Sequence, residues 1–114
     1  MQLTITTPDD WHCHLRDDLA LSTTVVAEAK QFGRALVMPN LLPPITNVKM
    51  AHAYQQRILK SIPPHNPFYP YMTLYLTPQT SLTALDAAHA SDIVLAVKLY
   101  PQGATTHSSA GVDD

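Results

Sequence analysis

Three times along this chain a short apolar stretch of strand character gives way to a segment whose apolar residues recur with helical spacing, and a fourth strand-like stretch closes the series. This alternation restricts the fold sharply. Parallel strands cannot be joined by tight turns and need long crossovers, which helices supply, so the pattern predicts an α/β architecture of parallel strands with right-handed crossover helices. The predicted strands are Asp10 to Leu15, Ala35-Leu36-Val37-Met38, Phe68 to Leu76 and Ile93 to Tyr100, and Leu3-Thr4-Ile5-Thr6 reads as a further short alternating strand. Pro70 is expected to delay the regular part of its strand.

The helices carry their own punctuation. Asp17 and Asp18 can cap a first helix through Leu21, Val25, Val26, Ala29 and Phe32, which Gly33 would stop. Asn47 caps a second, with Val48, Ala51, Tyr54, Ile58 and Ile62 in register and Pro63-Pro64 ending it. Ser81 caps a third, with Leu82, Leu85 and Ala88 on one stripe. The polar stretch from Gly103 onward reads as a mobile loop. With 114 residues the chain suits one domain portion, 1–114, rather than two domains.

The bulk chemistry excludes several functions. A net charge of -2 and the lack of any Lys/Arg cluster argue against a nucleic-acid partner. No apolar run approaches the roughly 20 residues of a membrane span. One cysteine makes no internal disulfide, and residues 1–10 lack the basic and apolar regions of a secretory signal, so the expected location is the cytoplasm.

Chemistry concentrates in Asp10-Trp11-His12-Cys13-His14-Leu15-Arg16. On an extended strand His12 and His14 project to one side while Cys13 turns to the other. Paired surface histidines often bind nothing. Here, two imidazoles on one side are two ligands for a borderline metal such as zinc, and Arg16 adds a two-pronged carboxylate clamp just beyond them. Lys98 interrupts an apolar strand at its carboxyl end, where α/β folds place active sites. An isolated lysine usually snorkels. A partly buried amine with a depressed pKa can instead add carbon dioxide to give an anionic carbamate that bridges two metals. Asn40 follows a buried strand and Pro39 at another carboxyl end, and Thr105 and Thr106 offer hydroxyls to a bound anion. His52, His65 and His89 read as structural, and His107, in the loop of the threonines, reads either way.

Trp11-His12-Cys13-His14-Leu15-Arg16-Asp17, Val37-Met38-Pro39-Asn40-Leu41 with Pro43-Pro44, and Lys98-Leu99-Tyr100-Pro101 followed by Ala104-Thr105-Thr106 and Ser108-Ser109 together resemble the dihydroorotase family. The likeness is nearest the bacterial homodimeric type within the amidohydrolase superfamily. The resemblance implies a (β/α)₈ TIM barrel of which this chain is the amino-terminal half. It implies that His12 and His14 bind the more buried of two zinc ions, and that Lys98, carbamylated by CO2, bridges it to the second. It assigns the substrate carboxylate to Arg16 and Asn40, and Thr105 and Thr106 to a lid loop. The implied reaction is the reversible cyclisation of N-carbamoyl-L-aspartate to (S)-dihydroorotate in pyrimidine synthesis, by a homodimer in the complete enzyme.

Cys13 replaces the leucine usual between the histidines, and Asp18 stands where glycine is usual. The family's two later histidine ligands and its catalytic aspartate, the proton-transfer base, are expected beyond Asp114, so no general base is assigned within the chain and activity of these residues alone is not expected. Two other readings remain open: a non-catalytic half-barrel with a partial metal site, and another metal-dependent hydrolase of the amidohydrolase type.

Overall fold

The computed structural model describes residues 1–113. Four strands, β1 (Asp9–Cys13), β2 (Arg34–Val37), β3 (Tyr69–Tyr75) and β4 (Val94–Lys98), form one sheet in chain order, and every pairing is parallel. The connections carry α1 (Leu21–Ala29), α2 (Val48–Ser61) and α3 (Leu82–His89), with a 3₁₀ turn at Asp18–Ala20 ahead of α1. Helix α2 packs on β3 and against α1, and α3 packs on β4. Sequential parallel strands with one layer of helices are half of a (β/α)₈ barrel.

Register decides which side chains share a face. Paired residues of parallel strands point the same way, and Cys13↔Val37 and Val37↔Met72 run across the helix-covered face. There Cys13, Ala35, Val37, Met72 and Leu74 meet Leu21, Val25, Ala29, Ala51, Tyr54 and Ile58 in one core. Truncating a fully buried member such as Ile58 to Ala is worth roughly 2–5 kcal/mol of stability. The opposite face carries Thr73, Tyr75 and Lys98.

Two caps form as the sequence predicts: Asn47 accepts from the Met50 N–H and Ser81 from the Ala84 N–H. Four expectations fail. Leu3–Thr6 forms no strand, because residues 1–8 have no partner strand and are exposed throughout. Neither Asp17 nor Asp18 caps α1, whose N-cap is Ala20; Asp17 is drawn to Arg57 instead. Leu82 is not on the buried stripe of α3, where Ala88 is the buried residue. Pro70 delays nothing: β3 starts at Tyr69, and Pro70 pairs with Ala35 before β4 begins opposite Met72. A residue without an N–H is tolerated there because no strand yet demands one on its other side. The stretch after Gly103 is closed on itself by a Pro101↔Val112 bridge and by Ser108, which is buried.

Candidate metal centre

The carboxyl ends of the strands converge on one rim. At the end of β1 the register slips: Asp10 pairs with Ala35, but Cys13 pairs with Val37, so β1 holds one extra residue. A bulge of this kind re-aims the side chains around it. The Asp10 carboxylate accepts the His12 N–H at 2.8 Å, and the Cys13 carbonyl accepts the Met38 N–H at 2.8 Å, which pins the bulge on both sides. His12 and His14 then face the same way, and Cys13 sinks into the helix-facing core, as the alternation predicts.

The imidazole Nε2 atoms of His12 and His14 lie 3.3 Å apart, and Lys98 Nζ lies 3.0 Å from His12 Nε2. Lys98 is half-buried at the end of β4, with Met38 Sδ at 3.3 Å and the Tyr100 ring centroid at 4.7 Å. Burial first, then the positive charges of Arg16, His12 and Lys98, hold His14 below the usual imidazole range. A neutral imidazole is the form that binds metal. The donor spacing fits an ion: two ligands at 2.0–2.1 Å in tetrahedral geometry sit about 3.3 Å from each other. The residues present therefore suit a zinc-type ion between His12 and His14, with Lys98 at its margin.

Beside this pair, Arg16, Asp17, Asp18, Asn40, Leu41, Leu42 and His107 line a cavity of about 190 Å3. Asn40 is 4% exposed, and neither its Oδ1 nor its Nδ2 has a partner. A buried amide with both ends unsatisfied is costly unless something enters to bond it. Arg16 and Asn40 are thus brought to one cavity. Thr105 and Thr106 are exposed and do not line it: Thr105 N–H donates to Ser108 Oγ at 2.8 Å, and Thr105 Oγ1 to the Thr106 carbonyl at 3.2 Å. The loop residue that reaches the cavity is His107, left-handed at φ 58° with its carbonyl accepting from the Tyr75 hydroxyl at 3.2 Å. In the sequence His107 reads either way, and nothing in the composition of a polar loop decides between the two.

A second group, Asp10, Cys13 and Glu28, brings its ligand-type atoms within 4.8 Å of one another between β1 and α1. It lies on the side Cys13 turns to, away from the imidazoles. Burial, then Glu28 and Asp10, push the Cys13 thiol far up, and burial with Asp10 raises the Glu28 carboxyl. Cys13 is the buried member of the three, and Asp10 and Glu28 are half-buried.

Relatives bear on this geometry. No protein-family model matches the chain. The dihydroorotase of Methylobacillus flagellatus is 56% identical over 110 residues, which are 96% of this chain and 32% of that protein. That of Hahella chejuensis is 58% identical over 112 residues, 98% of this chain and 32% of its own length. Among solved structures, dihydroorotase from Campylobacter jejuni superposes with a TM-score of 0.85 at 39% identity, covering 95% of this chain and 31% of that one. The dihydroorotase of Saccharomyces cerevisiae in complex with 5-fluoroorotic acid gives 0.82 at 31% identity, covering 93% and 29%. The chain spans about a third of the length of the curated relatives it matches.

Proposed function

We infer that this chain, homologous along nearly its whole length to the amino-terminal part of dihydroorotases, supplies the first metal ligands and the carboxylate clamp of a zinc-dependent dihydroorotase. The reaction is the reversible closure of N-carbamoyl-L-aspartate to (S)-dihydroorotate. In closure the carbamoyl nitrogen bonds to the side-chain carboxyl carbon and one water leaves; the reverse hydrolyses the ring amide.

The observation that carries the reading is the meeting of the His12, His14 and Lys98 nitrogens two residues from an arginine that shares a cavity with an unsatisfied asparagine. His12 and His14 would hold one zinc, and Lys98, after its Nζ adds carbon dioxide and releases a proton, would hold two through its carbamate oxygens. Bound zinc supplies Lewis-acid polarisation of a carbonyl. The remaining work belongs to this chain's side chains. Arg16 grips the carboxylate that does not react through two parallel N–H donors, and Asn40 Nδ2 gives a further donor from a dry site. Leu41, half-buried, lines that end of the cavity. The loop of Thr105 and Thr106 would fold over the ligand once it is bound. The proton-transfer base and the second metal's other ligands would come from the part of the family fold that follows, and the complete enzyme would be a cytoplasmic homodimer.

The test is a spectrophotometric assay of the full-length gene product with N-carbamoyl-L-aspartate and with dihydroorotate, alongside metal analysis. Interconversion of the two, lost on chelation and restored by zinc, is expected. Turnover of a different cyclic amide with none of dihydroorotate would overturn the substrate assignment.

A further inference from the structure

The turn that carries Arg16 is held in a disfavoured shape by residues far away in the chain. Arg16 and Asp18 are both left-handed, at φ 62° and 52°, and Asp17 between them is extended. Residues with a Cβ avoid the left-handed region, and three residues do not keep this sequence of conformations unaided. The fastening comes one residue at a time. The Leu15 carbonyl accepts from Thr24 Oγ1 at 2.5 Å, the Arg16 carbonyl accepts from the Tyr54 hydroxyl, and the Asp17 carboxylate takes two hydrogen bonds from Arg57, at 3.0 and 2.7 Å. Tyr54 and Arg57 are three apart on α2 and so present one face of it. Tyr54 is fully buried, and the Arg57 guanidinium stands 5.3 Å from its ring centroid. Among the described residues, the Arg16 guanidinium itself has no hydrogen-bond partner, so its backbone is fixed while its head stays free for a ligand.

Resting on the proposed carboxylate-binding role of Arg16, we propose that Tyr54 and Arg57 are positioning residues of the substrate site: from α2 they hold the left-handed turn that aims Arg16 at the ligand carboxylate. Neither touches the ligand. Their effect passes through Arg16 alone, which separates this role from general support of the fold. A hydroxyl removed from Tyr54 leaves the Arg16 carbonyl unpaired and lets the turn relax toward ordinary backbone conformations. A guanidinium so released must be re-ordered each time a ligand binds, which weakens binding before it alters chemistry.

The experiment uses the full-length gene product with Tyr54→Phe, Arg57→Gln and Arg57→Lys, each alone and with Arg16→Lys. Tyr54→Phe and Arg57→Gln are expected to raise KM for N-carbamoyl-L-aspartate about tenfold, the scale of one lost hydrogen bond, with kcat and zinc content within twofold. Arg57→Lys is expected to recover part of the loss. Combined with Arg16→Lys, neither variant should raise KM further, because the clamp it serves is already gone. KM effects that multiply with that of Arg16→Lys, or a fall in kcat with KM unchanged, would overturn the assignment. NMR backbone chemical shifts of Arg16 and Asp18 give a readout without substrate: a move away from left-handed values in Tyr54→Phe is expected, and unchanged shifts would refute the fastening. If the parent protein does not turn over N-carbamoyl-L-aspartate, it is the dihydroorotase reading that fails, and the chemical shifts still judge whether α2 holds the turn. Arg57, at the surface, keeps the test open should Tyr54→Phe fold poorly.

Discussion

Lys98 Nζ lies 3.0 Å from His12 Nε2 although 86 positions separate them in the chain. Nothing local in either strand brings an amine and an imidazole together; parallel pairing through β2 and β3 does. Lys98→Ala should therefore cost the full-length gene product more activity than the roughly 10–100-fold that losing a residue that merely orients a metal ligand typically costs. Assay and metal analysis together check this, and wild-type turnover with normal zinc content would remove Lys98 from the centre.

Arg16→Lys keeps the charge and loses the planar fork. The expected result is a KM for N-carbamoyl-L-aspartate raised by about tenfold or more, since a two-point charged contact becomes a single point. Steady-state kinetics decide the matter, and unchanged constants would place the clamp elsewhere.

Asn40 should show opposite effects on stability and binding. Its amide is buried with no partner, so Asn40→Leu breaks no hydrogen bond in the ligand-free protein and is expected to leave Tm unchanged or raised. The same substitution should weaken substrate binding. A drop in Tm with KM unaltered would mean that the amide serves the fold.

Acid should erase one long-range ion pair. Hydrogen bonds from Arg57 hold the Asp17 carboxyl below its ordinary 3.8, against the opposing effect of burial. A carboxyl lowered by folding adds stability above its ordinary pKa, and that stability disappears as pH falls through the lowered value. Arg57→Gln should thus cost no more than about 1 kcal/mol at pH 7, as half-exposed pairs do. The difference from the parent should shrink as pH falls below 3.8, which urea unfolding at neutral and at acid pH can measure.

Cys13 should be inert while the protein is folded. It is 6% exposed, and burial pushes its thiol up, so the reactive thiolate is scarce. A maleimide should leave native protein unlabelled and label it in denaturant. Rapid labelling without denaturant would mean that β1 opens readily.

What the sequence discloses here follows the range of the interaction. Asn47 and Ser81 are legible as caps because the groups they bond lie three residues on. His12 and His14 are legible as a pair because strand alternation fixes their side. Asp17 reads as a cap by the same local logic, yet its partner Arg57 is 40 residues away on α2, and two hydrogen bonds from a guanidinium outweigh one from a helix N–H. Leu3 and Ile5 carry strand alternation, but a strand exists only against a neighbour. The bulge in β1, the left-handed turn at Arg16 and the reach of His107 into the cavity depend on backbone angles that no residue type in the stretch announces.

The sheet keeps the order in which its strands are made. No strand inserts between two earlier ones, so during synthesis each new β–α unit can be laid against the last without prising anything apart. Growth of that kind is directional: β1 serves as the template, and the outer margin of β4 is the seat on which one more strand can be added.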